Sequence, residues 1–88
     1  MAYDEGLAAR LRARLGPQVS ERRMFGGLVF LRDGAIAGGV YGPDLLVRVE
    51  PGDEAAVLAR PGVRQFLMGE RAMRRFVLVA AEHLDDWF

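Results

Sequence analysis

The sequence predicts an α+β domain in the order helix, three strands, helix, two strands, helix, with the helices packed on a mostly antiparallel sheet. Three observations predict it. Behind a capping aspartate near the start, apolar residues recur every fourth position, at Tyr3, Leu7, Leu11 and Leu15. Apolar runs with a period of two follow, punctuated by Asp33-Gly34 and by Gly42-Pro43-Asp44. The breaks Pro51-Gly52-Asp53 and Pro61-Gly62 then isolate a short segment ahead of the last apolar runs.

Asp4 is placed to cap a helix over residues 5–15. Glu5 near its start and Arg12 and Arg14 near its end complement the helix dipole, and Gly16-Pro17 stops it. Residues 21–31 read as one strand bent at Gly26-Gly27. Met24, Leu28 and Phe30 share one face of it, and Phe25, Val29 and Leu31 share the other. Asp33-Gly34 is a strong two-residue hairpin signal, so a second strand follows over 35–41. The Gly42-Pro43-Asp44 turn leads to a third over 45–49, with Leu45, Val47 and Val49 pointing one way. Asp53 is expected to cap a short helix ending near residue 59. Residues 63–68 look extended, Gly69-Glu70 turns the chain, and 74–80 is the strongest late strand. Residues 82–88 are expected to form a terminal helix or helical turn that folds Leu84, Trp87 and Phe88 back onto the sheet.

Eighty-eight residues make one domain, 1–88, able to bury roughly 60–65% of the surface of its unfolded chain. The apolar fraction of 51% lies a little above the ordinary range of about 45–50%, so the chain packs well or hides apolar surface against a partner. Net charge is zero, from 12 basic and 12 acidic residues, and every basic residue is arginine. A neutral domain lacks the broad positive field of non-specific nucleic-acid binders, which leaves only a local cluster for such binding. There is no cysteine, which fits a cytoplasmic home. The N-terminal residues form neither a signal peptide nor a membrane span.

No catalytic group is assigned. His83 is the only histidine, and the acids beside it (Glu82, Asp85, Asp86) are ordinary for an exposed terminal helix; a solvated or capping role is expected. Ser20, the only serine, has no base beside it and reads as a turn residue. Gly26-Gly27 and Gly38-Gly39 fit neither the dinucleotide fingerprint nor the phosphate loop, whose lysine is absent; close packing or a bulge explains them better. No cofactor or metal is expected. The arginine pairs Arg22-Arg23 and Arg74-Arg75 are the most interesting polar feature. Each pair in extended chain sends one side chain to either face, so a basic locus for a phosphate or an acidic partner needs the two strands to lie close. Pairing with Glu21, Asp33, Glu50 and Glu70 is the plainer reading. Arg48, between Val47 and Val49, stands either on a solvent-exposed face or in a partly buried ion pair that fixes register. Phe25, Phe30, Phe66, Met24, Met68 and Met73 read as core, with some available for a dimer seam.

The stretch Met24-Phe25-Gly26-Gly27, the strand LLVRV and the segment FLMGERAM leading into an apolar strand together resemble the TfoX N-terminal domain family over nearly the whole chain. The resemblance implies the same element order, in a secretion-chaperone-like architecture. It implies small bacterial domains linked to regulation of competence, some standing alone; the full-length form carries a second, C-terminal domain and assists a DNA-bound activator. That second domain is not seen before the chain ends at Phe88. The family pattern supplies no catalytic or metal residues. The expected function is therefore a non-enzymatic regulatory or scaffold module acting through protein–protein contacts, as a homodimer and with a regulatory protein, in transcriptional or competence regulation. The alternative is a nucleic-acid-associated accessory using a local arginine cluster, and a small enzyme is the third class.

Overall fold

The structure is a computed structural model and describes residues 3–24 and 26–87. Its elements are α1 (Glu5–Leu15), β1 (Ser20–Met24), β2 (Gly27–Arg32), β3 (Ala35–Tyr41), β4 (Asp44–Arg48), α2 (Glu54–Leu58), β5 (Val63–Met68), β6 (Arg71–Val79) and a terminal 3₁₀ helix (Ala81–Asp86). The strands form one antiparallel sheet in the order β1-β2-β3-β4-β6-β5. Four strands run as a meander. The β5–β6 hairpin then docks through β6, which leaves β5 outermost.

This overturns the expected fold class. The chain is mostly a six-stranded sheet with one main helix, where three packed helices and five strands were expected. The physical reasons are local. α2 is five residues long and buries none of them, so it has no apolar stripe with which to hold a sheet face. Nor does Asp53 cap it through its side chain; the Glu54 carboxylate instead accepts the Gly52 N–H at 2.8 Å. The terminal helix is 3₁₀, a geometry used in short pieces.

The second correction is the strand expected over 21–31. It is two strands, β1 and β2, paired as a hairpin with Met24 opposite Gly27 and only Phe25-Gly26 between them. Gly26 adopts φ 77°, a left-handed angle that suits glycine in a tight turn. Reversal of the chain also moves Met24 to the face of Val29, away from Leu28 and Phe30 where unbroken alternation had placed it. The expected place of Phe25 on that face lies outside the described residues. β6 likewise begins at Arg71, three residues earlier than expected.

All four hairpins use two-residue loops, closed by Met24 and Gly27, Arg32 and Ala35, Tyr41 and Asp44, and Met68 and Arg71. At Asp33-Gly34 both residues have positive φ, 54° and 82°, the backbone that matches the twist of paired strands. Gly27 and Gly39 are needed for a different reason. A β-carbon on Gly39 would lie 2.5 Å from the Leu28 carbonyl oxygen and 3.1 Å from the Val29 Cα. One on Gly27 would press into the Val40 carbonyl oxygen. β2 and β3 therefore approach too closely there for any side chain to intervene.

The sheet buries an apolar cluster on each face. On one side α1 is capped by Asp4, whose carboxylate accepts the Leu7 N–H at 3.0 Å. It lays Leu7, Ala8 and Leu11 against Leu28, Phe30, Val40, Leu45 and Val79, and Leu84 of the 3₁₀ helix joins them. Trp87 packs at the margin of this cluster, with the Arg60 guanidinium 3.8 Å from its ring centroid. On the opposite face Val29, Leu46, Phe66 and Leu78 are buried without a single helical residue among them. Side chains from flanking strands cover them instead. The rings of Tyr41 on β3 and Phe66 on β5 meet edge to face at 5.3 Å, although β4 and β6 lie between their strands.

The β5–β6 pairing contains an irregularity between Gln65 and Leu67, where Phe66 faces a longer stretch of β6. Carbonyls freed there need donors. The Gln65 side-chain amide supplies them, donating to the carbonyls of Met73 at 2.7 Å, Phe76 at 3.1 Å and Phe66 at 3.2 Å.

Two stability predictions follow from these contacts. Gly39→Ala and Gly27→Ala will each lower stability by about 1–3 kcal/mol in urea unfolding, because backbone atoms rather than side chains must move. Gln65→Leu, close to isosteric but unable to donate, will cost about 1–3 kcal/mol by leaving bulge carbonyls unpaired; a loss within ±0.5 kcal/mol would show that water replaces the amide freely.

Candidate functional site

Arg22 and Arg23 stand on β1, the outer strand at one edge of the sheet, and both are exposed. Arg74 and Arg75 stand on β6 and are exposed too. Between β1 and β6 lie β2, β3 and β4, which places the two pairs about 19 Å apart along the sheet at ordinary strand spacing. The sheet order does not bring the four arginines into one locus. Arg22 pairs with Val29 and faces away from α1, whereas Arg23 pairs with Leu28 on the α1 side.

Arg74 borders a shallow groove of about 500 Å³ lined by Gly52, Glu54, Ala55, Leu58 and Gln65. Within it the Glu54 carboxyl is held below the usual carboxylate range. Hydrogen bonds from its own backbone N–H and that of Gly52 are the main cause, and the Arg75 and Arg74 charges add to them. The arginines at this end of β6 therefore face a carboxylate supplied by the chain itself. Arg75 is further tied by its backbone, since its carbonyl accepts the Val49 N–H at 2.6 Å.

Arg48 sits opposite Phe76 on the face away from α1. Of the two readings open for it, exposure holds: the residue is exposed and forms no ion pair among the described residues. It borders a groove of about 340 Å³ with Arg32, Asp33, Ala35, Ile36, Ala37 and Glu50.

The registers place six residues in one row across this open face: Arg22, Val29, Gly39, Leu46, Leu78 and Arg64, one from each strand. The row is apolar in the middle and ends in arginine on both edge strands. At the β5 end Arg64 is neutralised, because it reaches across β6 to the buried carboxylate of Asp44. At the β1 end Arg22 has no such partner among the described residues. Around the buried centre lies a ring of half-buried apolar side chains, Met24, Leu31, Ile36, Tyr41, Met73 and Phe76. The Arg64–Asp44 pair and the Gln65 amide are the polar features that sequence reading missed. Nothing in the alternation of β5 marks them, since the first depends on β6 docking beside β4 and the second on a bulge inside the β5–β6 hairpin.

On the α1 side, Arg12 of α1 grips Glu21 of β1 with Nε at 2.5 Å and a terminal nitrogen at 2.8 Å from the two carboxylate oxygens. That bidentate bond is the chief reason the Glu21 carboxyl lies below its usual range. His83 packs on Gly62, where a β-carbon would come within 2.6 Å of its ring Cγ. It serves the close approach of the 3₁₀ helix to the start of β5. Ser20 is exposed at the start of β1. Among the described residues no cluster of histidine, cysteine or carboxylates is placed to hold a metal ion. No helix among them is long and apolar enough to cross a membrane.

The Glu21 shift has a fixed sign. A carboxyl whose folded value is depressed adds stability above its unfolded value and loses it as pH falls through the folded one. Wild-type protein will therefore lose stability below about pH 4.5, and Glu21→Gln will flatten that acid limb without changing stability above pH 6 by more than the modest worth of an exposed pair; thermal melts over pH 3–7 measure it.

Comparison with known proteins places this geometry in a lineage. No curated protein and no solved structure matches the chain. The sequence profile of the TfoX N-terminal domain matches residues 10–87, from the middle of α1 through the 3₁₀ helix, and so spans every strand of the sheet. The chain belongs to the TfoX N-terminal domain family.

Proposed function

We propose that this chain is a non-enzymatic regulatory or scaffold module that works through protein–protein contacts in the cytoplasm, in transcriptional or competence regulation, and that it pairs with a second copy of itself. The observation that carries the reading is the amount of apolar surface left half-covered. Six large apolar side chains ring the face opposite α1, and Leu67 and Met68, at the tip of the outermost strand β5, are 52% and 38% exposed. An outer strand with apolar side chains at its tip is a natural site for strand addition by an identical chain. Family membership supports the regulatory setting. The nucleic-acid reading draws less support, since the arginine pairs are spread over non-adjacent strands and those on β6 face Glu54.

Sedimentation velocity at tens of micromolar tests the pairing. A dimer is expected, with Leu67→Glu shifting it to monomer while leaving the melting temperature within a few degrees. A strict monomer throughout that range overturns self-association through β5. The nucleic-acid reading predicts binding whose log–log salt slope lies near −2 to −4, and Arg22→Ala with Arg74→Ala abolishing it; no binding at low salt removes that reading.

A further inference from the structure

We infer that the open face of the sheet is a docking site for an acidic amphipathic helix of a partner protein, seated over β2 and β3 between Arg22 and Arg48; this rests on the reading of the chain as a protein-contact module. The chain displays the same arrangement, with charges reversed, on its other face. There α1 presses an apolar stripe onto the sheet, and its flanking Arg12 bonds Glu21 of β1. On the open face the next residue of β1, Arg22, points the opposite way and meets no carboxylate among the described residues. Alternation along one edge strand thus sends Glu21 and Arg23 to the covered face, where Arg12 takes the acid, and Arg22 to the uncovered one.

Geometry fits a helix to the gap. Arg22 on β1 and Arg48 on β4 bracket β2 and β3, a separation of three strand spacings or about 14 Å. A helix with its side chains is about 10–12 Å across. Leu31 of β2 and Ile36 of β3, half-buried and apolar, lie between the arginines, and Met24 and Tyr41 extend the same apolar strip past the row of Arg22, beside the buried floor of Val29 and Leu46. The registers set Arg48 two residues further along its strand than the row holding Arg22, an offset of about 7 Å. Carboxylates on opposite flanks of the visiting helix therefore need to stand about five residues apart, since a helix rises 1.5 Å per residue.

Other occupants fit less well. A second copy would offer α1, whose flanks carry Arg10, Arg12 and Arg14, the wrong sign for this site. Single-stranded nucleic acid needs stacking rings and a run of cations. Here Phe66 is 1% exposed, Tyr41 is engaged with it, and Arg64 is neutralised by Asp44, which leaves two separated guanidinium groups on the face.

The test uses the whole chain and a synthetic helical peptide of about 18 residues, with a leucine stripe and glutamates on both flanks; a control peptide carries lysines in place of the glutamates. Binding is followed by fluorescence anisotropy and by NMR shift mapping. The acidic peptide is expected to bind, to weaken with salt, and to shift Met24, Leu31, Ile36 and Tyr41. Arg22→Glu with Arg48→Glu is expected to weaken it at least about tenfold while the thermal melt stays unchanged, both side chains being exposed. Any of four results overturns the proposal: no binding by the acidic peptide, equal binding of the lysine control, shifts confined to the α1 face, or a concentration-dependent shift of the same four residues without peptide, which would assign the face to self-pairing. The dimer measured by sedimentation stands or falls separately, because it uses the β5 edge.

Discussion

A six-stranded sheet has two apolar faces, and only one helix among the described residues is long enough to cover either of them. That shortage organises the molecule. α1 takes the face of Phe30, whose side chain is fully buried, and the terminal 3₁₀ helix completes that cover through Leu84 and Trp87. The other face must protect itself. Tyr41 and Phe66 lean toward each other over the central strands, Arg64 reaches across β6 to Asp44, and the centre of the face stays dry beneath them. Neither contact alone is worth much. An edge-to-face ring pair adds about 0.5–1.5 kcal/mol beyond its buried area, and an ion pair with one exposed partner adds less. Their main effect is to exclude water from four residues whose burial is worth more than both.

Self-cover has a cost in area. Rings and long side chains from the flanking strands cannot close the margin as a helix would, and the margin stays apolar. The same device that lets a small sheet stand without a second helix therefore leaves a ringed, half-buried surface whose Arg22 has no ion pair among the described residues. Surfaces of this type on small domains mark places of contact.

Close backbone approach is the second organising feature. Gly27 and Gly39 let the β2 and β3 backbones meet where a β-carbon would strike a carbonyl oxygen of the facing strand. A glycine pair that resembles a ligand loop in the sequence is here a packing device between strands. Its partner Gly26 turns the chain so that β1 can exist at all, and β1 carries both Glu21 for the covered face and Arg22 for the open one.

Features that depend on neighbours along the chain were legible before folding was considered. The helix over Glu5–Leu15 was legible because its cap, its four-residue apolar spacing and its Gly-Pro stop are all local, and the Asp33-Gly34 turn because positive φ at both positions belongs to those residue types. Arg48 was marked as unusual by its two valine neighbours. The reversal between Met24 and Gly27 was not legible, since the sequence there lacks the asparagine or aspartate that announces a two-residue hairpin, and missing it carried Met24 to the wrong face. The place of β6 between β4 and β5 came from packing over the whole chain. That placement set the distance between the arginine pairs and joined Arg64 to Asp44, while the bulge inside the β5–β6 hairpin gave Gln65 its carbonyls. Strand order is set by which apolar faces can be buried together over distant parts of the chain, and alternation within a single strand carries no record of the strand that will lie beside it.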